Sequence, residues 1–256
     1  MLEINLYRAS DGRSLAYHTV KAATGSKKLP GIVFLGGFRS DMTGTKAVWL
    51  EDWARRAGRD FLRFDYTGHG QSSGRFEDGC IGDWILDATR IIEALTEGPQ
   101  ILVGSSMGGW IALSIARDRP EKVAGLVGIA AAPDFTEDSM WAGMDDATRA
   151  RLMSEGRIEV PTEYAPEPYV ITRRLIEDGR DRLVLRSPLR LDCPVRLLHG
   201  TADADVAMSV PLRLMEHADC DDLRLTFLKG SDHRLSKPHE LEAIRTAIDE
   251  VTAALT

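Results

Sequence analysis

The chain first combines residue type and spacing into chemistry at a serine with glycine two residues away on either side, in Gly104-Ser105-Ser106-Met107-Gly108. A G-x-S-x-G segment exposes its serine hydroxyl when a strand enters the turn and a helix leaves it. Gln100-Ile101-Leu102-Val103 reads as that strand and Met107 to Arg117 as that helix. The turn is strained, and side chains two residues either side of the serine would collide; Gly104 and Gly108 have none. Moving the register to Ser105 would put Val103 and Met107 at those positions, so Ser106 is the candidate nucleophile.

A serine hydroxyl attacks poorly until an imidazole takes its proton, and the imidazole needs a carboxylate to hold its tautomer. The required order after the serine is acid, then base. Val195-Arg196-Leu197-Leu198 runs into His199-Gly200-Thr201-Ala202-Asp203, and the strand Leu223 to Leu228 runs into Lys229-Gly230-Ser231-Asp232-His233. Asp203 is therefore the expected acid and His233 the expected base, with Asp205 the rival acid. Among the other histidines, His18, His217 and His239 fall in or beside regular elements and His69 comes too early in the chain. His199 reads as a donor that shapes the acid loop, and Asp232 as a neighbour whose side chain points away from His233. Attack on a carbonyl also creates an oxyanion that preorganised N–H donors must hold. The backbone N–H of Met107 and that of Phe38, in Gly36-Gly37-Phe38-Arg39, are the expected pair.

These loops require elements that bring them to one edge. Leu2 to Arg8 and Leu15 to Val20 alternate around Ser10-Asp11-Gly12, the pattern of a hairpin. Short apolar runs at Gly31 to Leu35, Phe61 to Phe64, Ile101 to Val103, Val123 to Ile129, Val195 to Leu198 and Leu223 to Leu228 suit strands covered on both faces. Between them, helical periodicity marks Thr45 to Ala57, Trp84 to Thr96, Met107 to Arg117, Val206 to His217 and Glu240 to Leu255. This succession predicts an α/β fold: a mostly parallel, eight-stranded sheet with helices on both faces.

Residues 133–187 break the rhythm. They show helical patches at Thr148 to Ser154 and Tyr169 to Glu177 and no convincing strand, and are expected to form a small helical cap. Residues 1–132 and 188–256 then make the core domain. From Pro133 to Arg190 there are nine arginines and no lysine, so Arg149, Arg151, Arg157, Arg173, Arg174 or Arg180 is expected to meet an anionic leaving group. Met140, Trp141, Met144, Leu152, Met153, Tyr164, Tyr169 and Ile171 offer apolar area for an acyl chain.

Composition excludes several classes. At 256 residues, 43% hydrophobic and 28% charged, the chain is neither disordered nor collagenous. A net charge of −7 provides no footprint for nucleic acid or an anionic membrane surface. No window approaches 18 uninterrupted apolar residues, so membrane insertion is not expected. Cys80, Cys193 and Cys220 are too scattered for a disulfide scaffold or a zinc site, and an acidic, alternating N-terminus is no presequence; both point to a cytoplasmic protein. No metal and no organic cofactor is expected.

Together these residues resemble the α/β-hydrolase superfamily over nearly the whole chain. Phe64-Asp65-Tyr66-Thr67-Gly68-His69-Gly70-Gln71-Ser72 looks like the loop after that superfamily's fourth strand. Gly44-Thr45-Lys46-Ala47, Gly98 through Trp110, Arg119 through Val123, Cys193 through Gly200 and Ser231-Asp232-His233-Arg234 narrow the likeness. They are similar to the mitochondrial group described as palmitoyl-protein thioesterases and mycophenolic acid acyl-glucuronide esterases. The resemblance implies an α/β-hydrolase fold, with Ser106 as nucleophile, Asp203 as acid and His233 as base. It implies a serine hydrolase that cleaves carboxylic esters or thioesters of a small molecule or an acylated protein through an acyl-enzyme. A serine in place of a carboxylate nucleophile argues against dehalogenase or epoxide-hydrolase chemistry. Carbon–carbon hydrolysis, perhydrolysis and a non-catalytic binding module remain alternatives. Gly36 stands where many hydrolases have histidine.

Overall fold

Alternation at the N-terminus folds back on itself as a hairpin, β1 (Asn5–Arg8) and β2 (Ser14–Val20), in the computed structural model, which describes residues 4–22, 29–162 and 166–255. The following elements are β3 (Ile32–Leu35), α1 (Thr45–Arg56), β4 (Phe61–Phe64), α2 (Ile81–Leu95), β5 (Gln100–Ser105), α3 (Met107–Asp118) and β6 (Val123–Ile129). Next come α4 (Asp146–Glu155), β7 (Arg157–Val160), β8 (Tyr169–Thr172), α5 (Arg173–Arg180) and β9 (Leu189–Arg190). The chain finishes with β10 (Val195–Gly200), α6 (Ser209–His217), β11 (Ala218–Asp219), β12 (Leu223–Leu228) and α7 (Pro238–Ala254).

Eight strands form one sheet in the order β1-β2-β4-β3-β5-β6-β10-β12. The hairpin and its junction to β4 are antiparallel and the remaining pairs are parallel. Every residue of β3, β4, β5 and β10 is buried, as expected of strands covered on both faces. One core packs Trp84, Ile91 and Trp110 of α2 and α3 against one face; the other packs Leu50, Ile244 and Ile248 of α1 and α7 against the opposite face. β3 has β4 on one side and β5 on the other, so the strand order reverses there. Open sheets of this kind bind ligands outside the strand C-termini at such a switch point, and Phe38 and Ser106 leave the sheet on its two flanks.

The segment between β6 and β9 differs from its sequence reading. A π-helical turn at Thr136–Trp141 precedes α4, whose start is capped by Asp145 accepting from the Thr148 N–H at 2.7 Å. Tyr169–Thr172, expected to be helical, is a strand paired antiparallel with β7. β-Branched Val170, Ile171 and Thr172 favour extension, and the Thr172 hydroxyl accepts from the Leu175 N–H at 3.1 Å, so α5 starts after it. In β7 only Ile158 is buried, and four residues are too few for alternation to stand out. α6 starts at Ser209 rather than Val206, because Val206 is bound into the preceding loop through both backbone groups.

Candidate active site

Ser106 stands between β5 and α3 at φ 54°, ψ −117°, a left-handed conformation costly for any residue with a Cβ. The turn is held from both sides: the Ser106 N–H donates to Ile129 O at 2.9 Å, and its carbonyl accepts from the Gly109 and Ala132 N–H groups at 2.9 and 3.1 Å. A Cβ on Gly104 would lie 2.7 Å from Gly109 Cα, and one on Gly108 would lie 2.7 Å from Gly36 O. Both glycines are therefore required by the turn. Ser105 is the last residue of β5 and is buried.

His233 Nε2 lies 3.0 Å from Ser106 Oγ, and Nδ1 lies 2.8 Å from Asp203 Oδ2. An ionised Asp203 only accepts, so Nδ1 carries hydrogen and Nε2 is left as an acceptor facing Ser106 Oγ. The Asp203 carboxylate is fully buried, and its Oδ1 accepts from the Asp205 and Val206 N–H groups at 2.9 Å each. Burial alone would raise its pKa, but the His233 hydrogen bond and these backbone donors hold it below the ordinary carboxylate range. Asp205, the rival, is exposed and lies on the cleft wall. His199 is fully buried, with Nε2 2.9 Å from Val206 O, and so braces the acid loop. Asp232 accepts from the Arg234 N–H at 3.0 Å, a local turn beside the site.

Asp203, Asp205 and His233 bring ligand atoms within 4.8 Å of one another, the one such group among the described residues. Both ring nitrogens of His233 are already engaged, by Asp203 and Ser106. The donor set therefore does not fit a metal ion. Cys80, Cys193 and Cys220 are free thiols, and burial pushes Cys80 and Cys193 up to about 12, which makes them poor nucleophiles.

Ser106 and His233 open into a cleft of about 560 Å³. Phe38 lines it, and a Cβ on Gly37 would lie 3.4 Å from Ser106 Cβ, so the β3 loop passes directly against the serine turn. Met107 is the first residue of α3, where an N–H has no acceptor within its own helix. Phe135, Met140 and Tyr169 supply apolar wall, whereas Leu152 and Ile171 are buried in the core and Tyr164 lies outside the described residues.

None of the six arginines expected to meet substrate lines this cleft. Arg173 pairs with Glu177, Arg174 with Asp83 and Arg180 with Glu137, each at 2.7 Å, and Arg149 donates to Trp141 O at 3.1 Å. The cationic residues on the wall are Arg39, Lys46 and Arg234. Lys46, at the start of α1, donates to Arg234 O, and burial pushes its pKa down to about 8. Sequence reading noted Lys46 and Arg234 only within similar segments. That both face Ser106 depends on sheet order, which no local pattern encodes.

Residues 31–168 match the family described as serine aminopeptidase, S33. The chain is 35% identical over 254 residues to the palmitoyl-protein thioesterase ABHD10, mitochondrial, of Bos taurus, covering 99% of this chain and 81% of that protein. A solved hydrolase from Agrobacterium vitis S4 is 42% identical, with a TM-score of 0.90 over 98% of this chain and 99% of that one. The mouse alpha/beta hydrolase domain-containing protein 10 is 33% identical, with a TM-score of 0.89 over 99% and 100%. The curated relatives named mitochondrial overturn the expected cytoplasmic location, which rested on scattered cysteines and an acidic N-terminus. Neither feature reports on an organelle address. Among the described residues no helix is long and apolar enough to cross a membrane.

Proposed function

The chain belongs to the α/β-hydrolase family described as serine aminopeptidase, S33, and is an ester or thioester hydrolase; on that premise we propose that it transfers an acyl group from oxygen or sulfur to Ser106 and then to water. Membership among hydrolases removes the reading as a non-catalytic binding module. The observation that carries the proposal is the hydrogen-bonded line Ser106 Oγ, His233, Asp203, at 3.0 and 2.8 Å.

Ser106 Oγ attacks the carbonyl carbon while its proton passes to His233 Nε2. The carbonyl electron pair moves onto oxygen, which the N–H groups of Phe38 and Met107 bind, aided by the positive end of α3. The pair returns, the C–O or C–S bond breaks, and His233 protonates the leaving group. Water, deprotonated by the same nitrogen, then releases the acid and restores Ser106. Asp203 stays ionised throughout and stabilises the imidazolium.

Residues 133–187 act as a cap whose Phe135, Met140 and Tyr169 receive the acyl chain, alongside Phe38. An acylated protein or a small acyl ester is the substrate class, the former by likeness to the palmitoyl-protein thioesterases. Arg39, Lys46 and Arg234 meet any negative charge on the leaving group. A fluorophosphonate label followed by peptide mapping tests the chemistry. The expected adduct is on Ser106; labelling elsewhere, or none, refutes it. A panel of short and long acyl chains on oxygen and sulfur then sets the preference.

A further inference from the structure

We infer that His69 is the positioning residue of the oxyanion loop: its Nε2 accepts a hydrogen bond from the Arg39 backbone N–H and so fixes the turn in which Phe38 presents its own N–H to the cleft. The inference rests on the acyl-transfer reading above and concerns a residue outside the Ser106, His233, Asp203 line.

β4 lies beside β3 in the sheet, so their C-terminal loops leave the same edge as neighbours. The β4 loop is hydrogen-bonded through both backbone groups of His69, whose N–H donates to Tyr66 O at 2.9 Å and whose carbonyl accepts from the Ser72 N–H at 3.0 Å. The residue is 3% exposed, and its ring packs edge-on against Tyr66, Phe76 and Trp84, with centroids 5.5, 5.1 and 5.1 Å away. Two polar contacts remain. Nδ1 lies 3.2 Å from Thr67 O, and a carbonyl can only accept, so Nδ1 carries the hydrogen. In the neutral ring Nε2 is then an acceptor, and the donor it meets is the Arg39 N–H at 3.3 Å. Burial drives the His69 pKa down to about 4; the Thr67 carbonyl opposes this and the Arg39 charge adds to it.

What His69 holds is not a relaxed loop. Arg39 has φ 55°, a left-handed conformation that a non-glycine residue keeps only when its surroundings enforce it. The turn is closed by the Ser40 N–H donating to Gly37 O at 3.1 Å, which leaves Phe38 in its middle. The ring cage around His69 also grips the turn's side chains. Phe38 packs edge-on to Phe76 and Trp84 at 4.8 and 5.9 Å, and the Arg39 guanidinium lies 4.9 Å over Phe76. A donor that must meet charge only in the transition state gains from being fixed before reaction, and a shift of a fraction of an ångström weakens it without weakening substrate binding.

The test uses the full-length enzyme, with His69→Phe to keep the ring volume but remove the acceptor, and His69→Gln to restore one. For one neutral ester, the Phe variant is expected to lose about 10- to 100-fold in kcat with KM changed less than about twofold. Its inhibition by a trifluoromethyl ketone, whose adduct needs the same hole, weakens by a similar factor, and the Gln variant recovers most of both. Should the Phe variant not fold, nitrogen-15 spectra of the wild-type histidines decide, since the arrangement requires hydrogen on Nδ1 and none on Nε2 of His69. Hydrogen on Nε2, an unchanged kcat, a loss confined to KM, or equal losses in both variants overturns the inference. Wild-type labelling of Ser106, run alongside, separates the levels: an unlabelled, inactive wild type removes both readings, and an active wild type with an indifferent Phe variant removes only this one.

Discussion

The floor of the cleft and the segment above it are held by different forces. On the floor, Ser106, Asp203 and Arg39 are fixed in the loops that follow buried strands by hydrogen bonds that each involve a backbone N–H. Above it, many of the side-chain contacts of 133–187 are partly exposed ion pairs such as Arg173 with Glu177 and Arg180 with Glu137. Pairs of that kind contribute about 0–1 kcal/mol each. The exception is the root of the segment. Asp134 is fully buried at φ 58° and accepts from the Val184 and Leu185 N–H groups at 2.8 and 3.0 Å and from Arg186 at 2.8 Å, tying the segment's two ends together. One buried carboxylate thus ties down both ends of a segment that also sends Leu152, Ile171 and Ile176 into the core. The acyl transfer proposed for Ser106 demands fixed atoms on the floor.

The largest effects belong to the floor. Ser106→Ala is expected to lose about 10⁴- to 10⁶-fold in kcat with an unchanged melting temperature, and Ser105→Ala far less. A dead Ser105 variant beside an active Ser106 variant would shift the register. Next, Asp203→Asn should cost about 10³-fold or more, because the amide would disturb the His233 tautomer, whereas exposed Asp205→Asn should cost little. The opposite ranking in steady-state assays would transfer the acid role.

A third expectation concerns acid stability. His69 is neutral in the fold down to about pH 4, whereas an unfolded histidine takes its proton near 6.5. The unfolded state therefore gains protons first, and stability falls as pH drops from about 6.5 to about 4, by roughly 3 kcal/mol from this group, then levels off. Asp203, held below the carboxylate range, adds a loss at still lower pH. Denaturant melts of wild type and His69→Gln across this window measure the first part; parallel curves would refute it. The smallest effects belong to the roof. Arg173→Ala and Arg180→Ala should leave KM for an anionic ester within about twofold, while Lys46→Met on the wall raises it about tenfold relative to a neutral ester of the same acyl group. A reversal would put substrate selection in the ion pairs of the segment.

Read locally, the chain already specifies its strained serine turn, the strand-loop placement of Asp203 and His233, and the strands that carry them. Those features depend on residues within a few positions of one another: glycine spacing, short apolar runs and helical periodicity. Other features depend on contacts across the chain. Tyr169–Thr172 became a strand only by finding β7, a partner of four residues with a single buried side chain. The six arginines that composition pointed toward substrate are turned away or paired, and Lys46, Arg39 and Arg234 take the wall instead. His69 precedes the serine in sequence and has no place in the order of acid and base. It gains its position because β4 lies beside β3, which sets its loop against the turn that follows β3. Local geometry writes spacing into sequence, but strand order is an outcome of the whole sheet, so the residues that share a wall become known only when the sheet is closed.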